Sequence, residues 1–252
     1  MKLAVISCIH GNSAALDAVL SDIDHHHAEQ IYCLGDLVGY GPDPNAVVET
    51  IRALAIPTCQ GCWDEDIVVG LDACECSYPS LLAERRGKLA HAWTSQAISP
   101  ETREFLAQLP LSLRLDNLCF VHGSPNSQHE YLLPEMDESI ALERVMTAGA
   151  EVLFCGHTHI PYVRTFEDSH VPVHRIINAG SVGEPRHGRP NATYVLYETE
   201  TQQVTLREVE YDYQATCAAI LAKGLPPIFA WRLARGLEFA ERADDPTHIC
   251  DR

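Results

Sequence analysis

Positive charge is scarce in this chain: 18 Lys and Arg stand against 35 Asp and Glu over 252 residues, a formal net charge of −17. A nucleic-acid backbone binds where basic residues gather on one face. Here they are scattered along the sequence, so no nucleic-acid partner is expected. Long apolar runs are missing too; nothing approaches the roughly 20 apolar residues of a membrane-spanning helix, and no membrane partner is expected. The N-terminal MKLAVISCIHGN carries one early Lys, but Ser7 and Cys8 interrupt its apolar run and no small-residue cleavage site follows, so no export signal is read there. Low-complexity tracts, collagen-like periodicity and internal repeats are absent. Cys74 with Cys76, and Cys250 near His248, lack a partner pair at zinc-finger spacing and read as incidental. The ten cysteines are expected to be thiols in a reducing cytoplasm, since Cys33, Cys119 and Cys155 sit inside apolar, strand-like runs where a buried free thiol is at home.

What is present is an ordinary globular composition, with 46% hydrophobic and 21% charged residues. A chain of this length can bury one substantial core, and a single domain over residues 1–252 is expected, with a loose polar tail from about Asp244. The first half alternates strand and helix, the pattern of a layered α/β protein. Lys2 to Ile6 reads as a buried strand, Ser13 to Ile23 as a helix, Gln30 to Leu34 as a strand and Pro44 to Leu54 as a helix. Ile56 to Cys59 reads as a short strand, and Ser80 to Leu109 as a helical region ended by Pro110. Leu111 to Val121 reads as two strands turning at Asp116-Asn117, Glu138 to Ala148 as a helix and Val152 to Cys155 as a buried strand. After residue 160, strands at Tyr162 to Phe166, His174 to Asn178, Thr193 to Glu198 and Gln203 to Glu210 suggest a second sheet packed on the first. One or two helices follow from Tyr213, separated by Pro226-Pro227.

Chemistry gathers at the strand ends. Ala4-Val5-Ile6 runs into Cys8, His10 and Asn12; Tyr32-Cys33-Leu34 into Gly35-Asp36; Pro57-Thr58-Cys59 into Gly61-Cys62-Trp63-Asp64; Phe120-Val121 into His122-Gly123; Leu153-Phe154-Cys155 into Gly156-His157-Thr158-His159. Sites on parallel α/β sheets form at this carboxyl edge. In extended chain, residues i and i+2 project to one side, which would aim Cys8 with His10, and His157 with His159, at a common centre. Any single histidine would more often be structural than a ligand; five such loops on one edge are harder to reach by accident. His25-His26-His27 reads as a solvated connection and Asp43 as a turn residue between two prolines.

The segments CIHGN at 8–12, GDLVGYGPDP at 35–44, GCWDE at 61–65, HG at 122–123, GHTH at 156–159 and NAGSVGEPR at 178–186 resemble the calcineurin-like metallophosphoesterase superfamily, in its small bacterial and archaeal branch. The resemblance implies an α/β fold, a four-layer α-β-β-α sandwich of two packed mixed sheets flanked by helices. It also implies two metals about 3.5–4 Å apart that activate water for attack on phosphorus. Carried over by position, Cys8, His10 and His159 would hold one metal, Cys62, His122 and His157 the other, and Asp36 would bridge them. Asp36 and His10 would be catalytic, and Asn12 and Arg186 would lie near the substrate or behind the ligands.

Three positions depart from the superfamily pattern: its first Asp is Cys8, its Asn ligand is Cys62, and the histidine at the general-acid position is Trp63. Thiolate is a strong ligand for zinc and iron, so two divalent transition metals are expected, Zn or Fe first and Mn or Ni behind them. Indole cannot donate a proton as imidazolium does. The leading expectation is therefore a phosphatase or phosphodiesterase of reduced activity, acting on a small-molecule or phosphoprotein ester. Its alternatives are a metal-binding or regulatory relative with little turnover, and a redox-sensitive protein in which Cys8 and Cys62 form a disulfide. Residues 64–110 and 124–136 are placed to overhang the site. Oligomer formation stays open.

Overall fold

The computed structural model describes residues 1–71, 80–168 and 171–237. Cys74, Cys76, His248, Cys250 and the tail from Asp244 lie outside the described residues. Strand β1 (Lys2–Ile6) pairs in parallel with β2 (Gln30–Cys33) across helix α1 (Ser13–His25), and antiparallel with β8 (Ala192–Glu198), which in turn pairs antiparallel with β9 (Val204–Val209). This sheet has the order β2-β1-β8-β9. The other has the order β3-β4-β5-β7-β6, built from β3 (Ser112–Leu115), β4 (Leu118–Val121), β5 (Val152–Cys155), β6 (Pro161–Asp168) and β7 (Val171–Ala179). Its middle strands β4, β5 and β7 are parallel, and its two edge strands run antiparallel to them.

Strand alternation divides the side chains between layers. Leu3 and Val5 of β1 face the other sheet and pack with Tyr32, Phe120, Phe154, Ile177 and Tyr197; the rings of Tyr32 and Phe120 stack at 4.2 Å. Ala4 and Ile6 face the opposite way, onto Leu16, Val19 and Ile23 of α1 and Val47, Val48 and Ile51 of α2 (Pro44–Ala53). On the far side, Cys119, Val121 and Leu153 receive Ala141, Val145 and Ala148 of α6 (Glu138–Ala148). The result is the four-layer α-β-β-α sandwich. Burying several such apolar side chains contributes about 1.5–3 kcal/mol each.

The elements differ from the sequence reading in four places. The strands after residue 160 do not form a sheet of their own: β6 and β7 join β3–β5, while β8 and β9 complete the sheet of β1 and β2. Residues 56–59 contribute a single bridge, Cys33 to Thr58, because Pro57 has no N–H to extend a ladder. The helical region of 80–109 is two helices, α4 (Leu81–Ala97) and α5 (Pro100–Ala107). Pro100 cannot continue α4 but suits the first turn of α5, where the Ser99 hydroxyl accepts from the Thr102 N–H at 3.1 Å. Finally, α3 (Cys62–Val69) begins at a site residue and was not anticipated. Helices α7 (Tyr213–Ala222) and α8 (Pro227–Leu233) close the described chain, with the Pro226-Pro227 break between them. No helix among the described residues is long and apolar enough to cross a membrane.

Candidate metal centre

All five strand-end loops converge. Ligand atoms of Cys8, His10, Asp36 and His159 lie within 4.8 Å of one another, and so do those of Asp36, Cys62, His122 and His157. Asp36 belongs to both groups, which coincide with the two sets implied by the resemblance. His10 Nε2 and His122 Nε2 approach the same Asp36 oxygen, Oδ2, at 3.4 and 3.3 Å. Cys62 Sγ lies 3.6 Å from that oxygen, 3.6 Å from His122 Nε2 and 3.5 Å from His157 Nδ1. Cys8 Sγ sits 3.2 Å from the Ser7 hydroxyl. All seven side chains are buried, none more than 3% exposed.

The local backbone is not extended, as the i, i+2 argument assumed. Cys8, His10, Asp36, His157 and His159 all adopt left-handed φ, from +48° to +62°. Ligands two apart do face one centre, but the chain reaches that arrangement by coiling tightly after each strand. A non-glycine residue held there costs about 1–3 kcal/mol, and such residues cluster at functional sites. The loops lock onto each other to hold it. Cys8 N–H donates to the Gly35 carbonyl at 3.0 Å and His10 N–H to that of Asp36 at 2.9 Å. The 178–186 motif docks on the first loop: Val182 and Gly183 donate to the Ser7 and Cys8 carbonyls at 2.9 and 3.0 Å. A Cβ on Gly183 would overlap the Ile9 carbonyl, and one on Gly61 would overlap Asp36, so both close approaches require glycine.

The outer ring nitrogens are pinned. Nδ1 of His10, His122 and His159 donates to the carbonyls of Val38, Leu34 and Glu184 at 3.0, 2.8 and 2.5 Å. A carbonyl can only accept, so in the neutral rings each Nε2 carries a lone pair aimed inward. His10 Nε2 and His159 Nε2 are nevertheless 3.2 Å apart. Two facing lone pairs repel unless a proton or a cation lies between them. Burial lowers the pKa of His10, partly opposed by Asp36, and burial with the Arg186 charge lowers that of His159 strongly, so the proton is disfavoured. The donor set thus suits a metal cation. Burial would raise the Asp36 carboxyl, but the charge and hydrogen bond of His122 outweigh it and hold it well below the usual range. Burial disfavours the His122 cation, yet Asp36 raises its pKa. Burial, then the Asp36 charge, pushes the Cys8 and Cys62 thiols well above their ordinary value.

Helix α3 explains how Cys62 and Trp63 are presented. Asp36 Oδ1 accepts the Trp63 N–H at 2.9 Å, satisfying one of the orphan donors of the helix start and leaving Oδ2 for the centre. Asp64, in the third helical position, accepts from the N–H groups of Gly61, Asp36, Leu37 and Val38 at 2.8–3.3 Å. Burial and the Asp36 charge push this carboxyl up to about 7 against those donors. Sequence reasoning missed Asp64 as the residue that ties the Asp36 loop to α3; a capping pattern of Gly61 with an acid three residues on was the available signal. Trp63 is 2% exposed and packs on Tyr40 at 4.4 Å, edge-on to His10 at 6.2 Å. The 124–136 segment reaches the site through Tyr131, whose ring lies on His157 at 4.0 Å.

The remaining residues singled out in the sequence fall into place around the centre. Arg186 donates to Glu184 Oε2 at 2.9 Å, and that carboxylate also lies 3.3 Å from His159 Nδ1. Asn12 caps α1: Oδ1 accepts from Ala15 N–H and the Thr216 hydroxyl, and Nδ2 donates to Gly183 O and Tyr211 Oη. Asp43 pairs with Lys223 and Ser13 near the start of α2. A third group, Glu65, Asp66 and His129, gathers ligand types nearby, with His129 Nε2 3.5 Å from Glu65.

The chain is similar in sequence and fold to several known proteins. The sequence profile of the calcineurin-like phosphoesterase superfamily domain matches residues 1–202. An uncharacterized protein of Methanocaldococcus jannaschii is 34% identical over 251 residues, covering 93% of this chain and 98% of its own. Among solved structures, a metallophosphoesterase from Sphaerobacter thermophilus superposes with a TM-score of 0.78 at 32% identity, covering 94% of this chain and all of its own. A hypothetical protein of Pyrococcus horikoshii does so at 0.77 and 26% identity, covering 93% and 98%.

Proposed function

Because the chain belongs to the calcineurin-like phosphoesterase superfamily, we propose that it hydrolyses phosphoesters at a centre of two divalent transition metals held by the seven strand-end side chains. Cys8, His10 and His159 would hold one metal, Cys62, His122 and His157 the other, and Asp36 would serve both. The observation that carries this reading is the 3.2 Å approach of His10 Nε2 and His159 Nε2 in a buried site, with Nδ1 of each ring turned outward onto a carbonyl. Two imidazoles on each side with one thiolate each favour Zn or Fe over Mn or Ni. The substrate is a phosphomonoester or phosphodiester of a small molecule or a phosphoprotein.

Two divalent ions would supply Lewis acidity there, polarising phosphoryl oxygens and lowering the pKa of water. The protein's own residues supply the rest. Val38, Leu34 and Glu184 fix three imidazoles in the tautomer that offers Nε2. Asp36 holds α3 with one oxygen and meets the centre with the other. Cys8 and Cys62 must give up their thiol protons to act as ligands, so loading releases protons. Arg186 places a guanidinium beside the His159 side, suited to a phosphoryl oxygen. Trp63 excludes water but donates no proton to a leaving group.

Elemental mass spectrometry of the purified protein, with hydrolysis of aryl phosphomonoesters and phosphodiesters in Mn, Zn, Fe and Ni, tests the reading. Bound transition metal and turnover that collapses in His157→Ala are expected. Protein that takes up no transition metal from supplemented medium overturns it. A second reading, a metal-binding relative with little turnover, is favoured by the burial of all seven side chains and by Trp63 at the general-acid position. Metal uptake without hydrolysis of either aryl ester would select it.

A further inference from the structure

Helix α8 lies beyond the 1–202 span of the superfamily profile, yet one of its side chains enters the wall of the centre. Arg232 is 1% exposed, and its Nη2 meets Glu184 Oε1 at 2.5 Å. Arg186 holds the other oxygen, Oε2, at 2.9 Å. The Glu184 carboxylate is thus gripped at both oxygens by guanidinium groups from two segments. Burial would raise its pKa, but those two charges outweigh the effect and keep it ionised. Glu184 is in turn the residue that orients His159, since its carbonyl accepts the Nδ1 proton at 2.5 Å and its carboxylate lies 3.3 Å from the same nitrogen. The Glu184 N–H donates to the Ser181 hydroxyl at 2.8 Å, and Ser181 donates to the Cys8 carbonyl at 2.7 Å. Arg232 also lies over the Tyr40 ring at 5.4 Å, and Tyr40 packs on His10 at 4.9 Å.

We propose that Arg232 is a positioning residue for the candidate metal centre: by fixing Glu184 from α8, it sets the orientation and tautomer of His159 and thereby the affinity of the His10–His159 side for metal. An alternative role, anchoring α8 through its apolar neighbours Ile228, Phe229 and Leu233, predicts no effect on His159. The proposal rests on the two-metal reading, but its first test does not need metal.

That test is the ring tautomer of His159 in the metal-free full-length protein, read by long-range ¹⁵N–¹H NMR. The wild type should show one tautomer, protonated at Nδ1, and Arg232→Met a mixture. The second test is Zn(II) affinity against a competing chelator. Loss of a ligand's own hydrogen-bonding partner typically costs about 10–100-fold in metal affinity; Arg232 acts one residue further out, through Glu184, so Arg232→Met should weaken one of two sites by about the lower end of that range, and Arg232→Lys by less. In a Glu184→Gln background, Arg232→Met should add less than about twofold, since its effect runs through that carboxylate. An unchanged His159 tautomer overturns the proposal, as does a full Arg232→Met effect in the Glu184→Gln background. If Arg232→Met does not fold, wild-type tautomer and affinity in folded Arg232→Lys overturn it equally. A wild type that binds no Zn(II) defeats the two-metal reading instead, and the tautomer still decides the role of Arg232.

Discussion

Trp63 sets the chemistry that one residue can add or remove. In the proposed hydrolase its indole would stand where an imidazolium would protonate a leaving group, and it packs against Tyr40 and His91, at 4.4 and 5.6 Å between ring centroids. General-acid catalysis is worth about 10²–10⁴-fold where the leaving group needs a proton. Aryl phosphoesters, whose leaving groups depart as anions, are therefore expected to turn over, and alkyl phosphoesters to lag by a factor approaching that range. Trp63→His should narrow the gap by at least about tenfold. Steady-state rates on matched aryl and alkyl esters check this, and equal rates in the wild type count against it.

At the scale of elements, the clamp between α1, β8 and β9 shows how the sheet edge is tied to its helix. Arg207 donates to both oxygens of Asp22, at 3.0 and 3.2 Å, and the Tyr194 hydroxyl donates to it at 2.7 Å. Burial would raise the Asp22 carboxyl, but these partners lower it below the usual carboxylate range. A depressed carboxylate contributes stability that is present above its unfolded pKa, near 4, and lost as pH falls through the folded value. Asp22→Asn should cost about 1–3 kcal/mol at pH 7, and the difference from wild type should shrink below about pH 4. Urea unfolding at pH 7 and pH 3 measures it; a penalty equal at both would contradict the assignment.

The same scale shows what the sequence made legible. Strands β1, β2, β4 and β5 and the ligand loops after them could be read because each is a short apolar run punctuated by glycine beside His, Asp or Cys. Sheet membership after residue 160 could not: β7 and β8 each present a buried face, and alternation does not say which sheet receives it. Helix α3 escaped because its charged Asp64 and Asp66 are buried while its apolar Val69 is exposed, so hydropathy marks no helical period. Its start is fixed by Asp36, 26 residues earlier. Arg232 escaped for a related reason, since an arginine in a C-terminal helix carries no local sign that a buried glutamate awaits it.

For the whole molecule, a metal held in the proposed centre would join side chains from five separate loops, so its binding would be linked to folding. A ligand that binds only the folded state stabilises it by mass action, about 2.7 kcal/mol at 100 times its Kd. In a chain of this size that corresponds to roughly 5–10 °C in melting temperature. Stripping with a strong chelator should lower the melting temperature by this order, and adding back Zn(II) should restore it in a concentration-dependent way. A melting curve indifferent to chelator and metal would show that the seven side chains do not hold metal in the folded protein.

The divided use of Asp36 has a consequence for how such centres diversify. One oxygen secures the first turn of α3 and the other looks inward, so the backbone that presents position 62 is fixed by a residue other than the ligand itself. Donor identity can then be exchanged, thiol for amide, without redrawing the path of the chain. In the proposed centre the scaffold would act as a socket, and the hardness of the metal it prefers would be a removable fitting rather than a property of the fold.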